Sequence, residues 1–158
     1  MDSRRRYSVA LALLCLLVLA APRALAEQVS MAMWAVQVTT EGRTEPFFDP
    51  GLEEVRETLG KTGDTFRKLK TARSSLQSGS ESAQVIGEGY TLFVTYLGRE
   101  NDGHIRLDIR VQRQPADPNA PPVNAMVTRL SMTPGKKVKL QGFKMSKGEL
   151  AIVLSCEP

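Results

Sequence analysis

An α+β domain, with one short helix packed on a mainly antiparallel, curved sheet, is the fold class this sequence predicts. Three observations point to it. Only Asp49 to Gly60 carries a nearly complete set of helix start and stop signals. The apolar run Met31 to Thr40 precedes it as a strand. From Ala83 onward the chain alternates apolar and polar residues between tight-turn signals. The predicted order is therefore β-α-β followed by β-hairpins. A partial barrel or a small sandwich is the alternative way to bury these strands.

In strand one, MAMWAVQVTT, Trp34, Val36 and Val38 recur at period two, and Trp34 is the only tryptophan. In the helix, Asp49 suits the N-cap and Pro50 the first helical position. Glu53 and Glu54 complement the positive end of the dipole. Leu52, Val55 and Leu59 form one apolar stripe, and Gly60 with Lys61 closes the segment. So short a helix owes its stability to packing on a sheet. Thr65 to Gln77 is open between helix and strand: Phe66, Leu69, Arg73 and Leu76 suit a helix face, whereas Phe66 and Leu69 also fit a bulged strand.

Gly89 to Gly98 (GYTLFVTYLG) is a strand with apolar residues on both faces. Asn101-Asp102-Gly103 is a hairpin turn. After it, Ile105, Leu107, Ile109 and Val111 alternate with His104, Arg106, Asp108 and Arg110, so one face is buried and one wet. Four prolines in Gln114 to Val123 (Pro115, Pro118, Pro121, Pro122) make that stretch an exposed loop. Ala125 to Met132, Lys136 to Phe143 and Glu149 to Cys156 are three further strands, separated by turns at Pro134-Gly135 and Ser146-Lys147-Gly148.

Residues 1–26 read as a secretory signal peptide. Arg4, Arg5 and Arg6 form a basic start, and Val9 to Ala21 is an apolar run of 13 residues. Ala24-Leu25-Ala26 supplies a small-residue cleavage site at Ala24 and Ala26. The run is shorter than the about 20 residues that span a bilayer. The expected mature part, 27–158, is a single α+β domain. Of the formal charge of +4, +3 lies in the leader, and about +1 remains from 17 basic and 16 acidic residues. The basic balance is therefore mostly a translocation signal and gives no reason to expect a nucleic-acid partner. Cys15 lies inside the leader and follows Leu14, which does not suit lipoprotein processing. Cys156 is then alone. It is either a small buried hydrophobe near the end of the last strand or the source of an intermolecular disulfide. No Asn-x-Ser/Thr glycosylation sequon occurs.

Few chemistries remain. With His104 as the only histidine and Cys156 the only mature cysteine, the chain cannot assemble a clustered His/Cys zinc site. No G-x-S-x-G elbow accompanies His104. Gly87-Glu88-Gly89 is not followed by a helix, so it is no dinucleotide loop, and no phosphate-binding P-loop is present. His104 reads as a polar position on a hairpin shoulder; a catalytic reading would pair it with Asp102. Asp108 between Arg106 and Arg110 reads as a surface charge ladder. No catalytic residue, metal or cofactor is expected. One basic contact face is a candidate: Arg67, Lys68, Lys70 and Arg73, with Lys136, Lys137 and Lys139. It would meet an anionic partner, or it is a solvated face whose lysines protect a sheet edge.

The pieces Asp49 to Leu59 (D-P-x-L-x-x-V-x-x-x-L), Phe66 to Leu69, Gly89 to Val111 and Gly148 to Leu154 resemble a loose group of small exported bacterial proteins of unknown function. The resemblance implies that Phe66 to Leu76 is a strand. Its architecture is also similar to periplasmic modules of secretion and pilus machinery. It carries over no catalytic residue. The functional expectation is an exported, non-enzymatic envelope protein, periplasmic or secreted, that binds another envelope protein. Its only membrane contact would be through the transient leader. Candidate edges for adding a partner strand are the final strand and Lys136 to Phe143. A small-molecule or lipid carrier, with a cavity between the helix and the sheet, is the alternative. A carboxylate hydrolase of envelope polymers is the third reading.

Overall fold

The computed structural model describes residues 27–158; the stretch 1–26 that reads as a signal peptide, with the expected cleavage residues Ala24 and Ala26, lies outside them. The elements are β1 (Gln28–Thr39), β2 (Phe47–Phe48), a 3-10 turn (Glu53–Val55), α1 (Arg56–Leu59), β3 (Thr65–Gln77), β4 (Glu81–Gly87), β5 (Tyr90–Arg99), β6 (Ile105–Arg113), β7 (Val123–Met132), β8 (Lys137–Lys144) and β9 (Glu149–Glu157). The architecture is mostly antiparallel sheet with one short helix. It differs from the expected single curved sheet: the strands form a five-stranded sheet, β2-β3-β1-β9-β8, and a four-stranded sheet, β4-β5-β6-β7.

The reason lies in β1 and β9. Val29, Met31, Met33 and Ala35 of β1 pack with Leu150, Ile152, Leu154 and Cys156 of β9 against the second sheet. There they meet Leu92, Val94 and Tyr96 of β5 and Ile105, Leu107, Ile109 and Val111 of β6. The intervening residues Trp34, Val36, Val38, Ala151 and Val153 face the other way and pack under Leu52, Val55 and Leu59. A sheet apolar on both faces needs two covers. The second sheet supplies one and the helical segment the other. Each large side chain so buried contributes about 1.5–3 kcal/mol.

The helix is shorter than its sequence signals suggest, and Asp49 is not its cap. The Asp49 N–H donates to the Phe66 carbonyl at 2.9 Å, and its carboxylate accepts the Lys68 N–H at 2.9 Å. Phe47 and Phe48 pair in parallel with Thr65 and Phe66, and Phe48 stacks on Phe66 at 4.3 Å between ring centres. Residues 47–49 are thus zipped to β3, and helical winding starts only at Glu53. The apolar stripe survives: Leu52, Val55 and Leu59 are fully buried. The expected β-α-β unit is also changed, because β1 and β3 pair antiparallel as direct neighbours. Thr65 to Gln77 is a strand along its whole length.

Two glycines approach the C-terminal end of β1 closely. A Cβ on Gly63 would lie 2.6 Å from Val38 Cγ1, and one on Gly148 would lie 2.7 Å from Thr39 Cγ2. The two sheets are clasped at one end. Tyr90 Oη donates to the Lys144 carbonyl at 2.7 Å, and the Glu88 carboxylate accepts the Ser146 N–H at 2.7 Å.

Asp64 organises the loop after β1. Its carboxylate accepts the N–H groups of Glu41 at 2.7 Å, Gly42 at 2.7 Å and Arg43 at 2.8 Å. These donors, the Glu41 N–H foremost, hold its carboxyl below the usual carboxylate range. A lowered folded pKa gives stability that is present above the unfolded value of about 3.9 and is lost as pH falls through the folded value. Asp64→Asn is expected to melt at a lower temperature than the wild type at neutral pH, and the gap is expected to narrow in acid. Thermal melts of both proteins across the acid range check this.

Candidate functional site

The first sheet is covered on one face by the second and on part of the other by the helical segment, whereas the second is covered on one face only. Its outer face carries a shallow groove of about 460 Å³ lined by Glu81, Phe93, Thr95, Asp108, Arg110, Val127 and Arg129. Strand pairing assembles it. Phe93 lies opposite Arg110, and Arg110 opposite Val127. Asp108 lies between Thr95 and Arg129. The Arg110 guanidinium sits over the Phe93 ring at 4.6 Å and reaches Glu81 at 3.1 Å. Arg129 grips Asp108 through two nitrogens, at 2.7 and 3.2 Å. This pair holds the Asp108 carboxyl below its ordinary range. Val85 and Val127 stand exposed on the same face, at 68 % and 67 %.

The strand bordering this groove is an edge. β7 pairs with β6 on one side only. Its start is bulged next to Val111 and Gln112, but Met126 to Met132 is regular. Its one charge, Arg129, is taken up by Asp108. The other edges are better guarded. β8 carries Lys137, Lys139 and Lys144 and is interrupted by a bulge between Leu140 and Phe143. β4 is short and bulged after Val85, and Lys70 Nζ donates to its Val85 carbonyl at 2.7 Å. Lysines and bulges are the usual protections of an edge. The final strand, β9, is no edge: it lies between β1 and β8.

The basic residues do not form one face. Arg67 lies 3.7 Å from Glu41. Lys68 donates to the Pro50 carbonyl at 2.9 Å, and Lys139 to the Leu59 carbonyl at 2.9 Å; both fasten the helical segment. Lys70 turns toward β4, and Lys136 is exposed in a turn. Only Arg73 and Lys137 come together, on opposite sides of a small pocket of about 120 Å³ beside Trp34. Neither Ser155 nor Glu157, which also line it, was singled out in the sequence.

His104 precedes β6 with Nδ1 2.8 Å from Asp102 and Nε2 3.2 Å from the Thr133 hydroxyl. Glu100 stands close by, and the three could share an ion. All are partly or fully exposed, and the His104 contact holds the Asp102 carboxyl below its usual range. Cys156 is fully buried on the inner face of β9. No helix among the described residues is long and apolar enough to cross a membrane. Comparison with protein-family models, curated proteins and solved structures finds no match.

Burial pushes the Cys156 thiol up to about 11, so little thiolate exists at neutral pH. The native protein is expected to resist alkylation by iodoacetamide near pH 8 and to react fully in denaturant. Mass spectrometry of the two samples checks this.

Proposed function

We propose that this chain is an exported, non-enzymatic envelope protein that works as a protein-binding or assembly module. The observation that carries the reading is the lightly guarded edge β7, running beside the uncovered outer face of the second sheet. An edge strand offers N–H and C=O groups to an added strand, which supplies affinity, while neighbouring grooves read its side chains. The groove has the composition of a protein-recognition surface: an aromatic ring, two arginines and an exposed valine. The partner expected here is an envelope protein presenting an extended segment with an apolar side chain for the space between Phe93 and Val127. The export half of the proposal rests on the leader pattern of residues 1–26.

The interior supports this reading over a small-molecule or lipid carrier. The space between the sheets is filled by Met31, Leu92, Leu107, Ile152 and their neighbours, and the space beneath the helix by Trp34, Val36, Leu59 and Phe66. A carrier needs that volume for its cargo.

Val127 is 67 % exposed, so replacing it spares the fold. Val127→Lys is expected to cost a strand-adding partner about tenfold in recovery after mild crosslinking in the native envelope, since one truncated or charged anchor is worth about 1–2 kcal/mol. Recovery of the same partners at wild-type levels by V127K would count against the β7 surface. Absence of any specific partner for the wild type would count against the function.

A further inference from the structure

The pocket beside Trp34 lies on the outer face of the first sheet, on the side of the molecule away from the β7 groove. Four strands build it. Arg73 of β3 lies opposite Ala32 of β1, Ala32 opposite Ser155 of β9, and Ser155 opposite Lys137 of β8. In the next row Ser30 lies opposite Glu157. Residues two apart on a strand share a face. Small side chains, Ser30, Ala32 and Ser155, therefore floor the pocket, and longer ones stand round it. Trp34 of β1 and Glu54 of the 3-10 turn close one end, and Glu157 the other.

Ser155 gives the pocket a hydroxyl at its floor. It is 93 % buried, with 7 % exposure. The other buried polar residue, Thr65, has its hydroxyl engaged by Arg43 and Asp64. The Ser155 hydroxyl lines the pocket, where a ligand group can reach it. A hydroxyl at the floor of a pocket can donate to a bound carboxylate.

The charges at the rim say which ligand. Arg73 and Lys137 stand on opposite sides across the strands, and Glu54 and Glu157 at opposite ends along them. None of the four forms an ion pair with a described residue. The sign alternates round the rim. A simple anion placed here meets two carboxylates, and a simple cation meets a guanidinium and an ammonium. A molecule bearing both charges is attracted by all four. A pocket of about 120 Å³ admits a small headgroup.

We infer that this pocket binds a small zwitterion, the carboxylate and ammonium of a free amino acid. Its carboxylate is held by the cationic sides and the Ser155 hydroxyl, and its ammonium by the acidic ends. A guanidinium suits the carboxylate because its fork matches two oxygens. This pocket is separate from the β7 surface, and its binding does not depend on a protein partner there.

Trp34 lines the pocket and is the only tryptophan of the chain, so its emission reports occupancy. The test uses protein purified by export from cells expressing the full chain. It is titrated with glycine, and with acetate and methylammonium as probes that carry one charge each. Glycine is expected to give a saturable change at millimolar concentration, the range for so small a ligand, and to bind at least about fivefold tighter than either single-charge probe. Arg73→Gln is expected to weaken glycine roughly tenfold, and Ser155→Ala roughly threefold. Lys137→Gln, on an edge strand, repeats the test should Ser155→Ala disturb the sheet. Melting temperatures near the wild type show that a loss is local. No saturable response to glycine, acetate binding as tightly as glycine, or unchanged glycine binding by R73Q would overturn the inference.

Discussion

Strand β1 has to be covered on both of its faces. Met31, Met33 and Ala35 point one way, and Trp34, Val36 and Val38 the other, and all are nearly or wholly withdrawn from solvent. β9 repeats the pattern beside it, with Leu150, Ile152 and Leu154 inward and Ala151 and Val153 outward. Two adjacent strands of this kind impose three layers. The four-stranded sheet covers one face and the residues 52–59 cover the other. The helical turn is too short to persist alone. It is held by Leu52, Val55 and Leu59 from below, and by Lys68 and Lys139, whose ammonium groups each hold one of its carbonyls or that of a flanking residue.

That layering leaves an asymmetry which the functional proposals exploit. The second sheet spends its apolar face on the core and has no fourth layer behind it. Its outer face is therefore wet, and its ion pairs are of the exposed kind that contribute about 0–1 kcal/mol each. They add little stability, but they neutralise Arg129 and Arg110 beside Phe93 and Val127, which keeps that surface from repelling a partner. On the first sheet, the helical segment covers only the part of β1 around Trp34 to Val38. The part around Ser30 and Ala32 stays open, and there the strand pairing brings Arg73, Ser155 and Lys137 into one row.

Much of this was legible in the sequence, and the misses have physical causes. Ile105, Leu107, Ile109 and Val111 read as a buried face and are one. Gly103 turns the hairpin, and the proline-rich stretch before Val123 stays out of the ladders. Alternation tells which face of a strand is buried, however, and not which sheet it joins, so one curved sheet and two stacked sheets read alike. Asp49 carries a cap signature, but its carboxylate and N–H are both used by β3. The basic segment is no single face because it is a strand, whose neighbouring side chains alternate, and one extra residue splits it further. Leu69 bulges between Lys68 and Lys70, so Lys68 faces the helical segment while Lys70 turns toward the second sheet. The short strands β2 and β4 gave no separate signal. Ser155 looked like any strand serine, because the residues around it come from four strands far apart in the chain.

Amide hydrogen exchange, resolved along the chain, tests the central claim that the doubly covered pair β1 and β9 anchors the molecule. Amides that open only with global unfolding exchange slowest. The account predicts that Met31 to Val38 and Leu150 to Leu154 exchange slowest of all, and that β7 exchanges fastest among the long strands. Exchange of β1 as fast as that of β7 would contradict it, because the strand that holds the three layers together would then open without them.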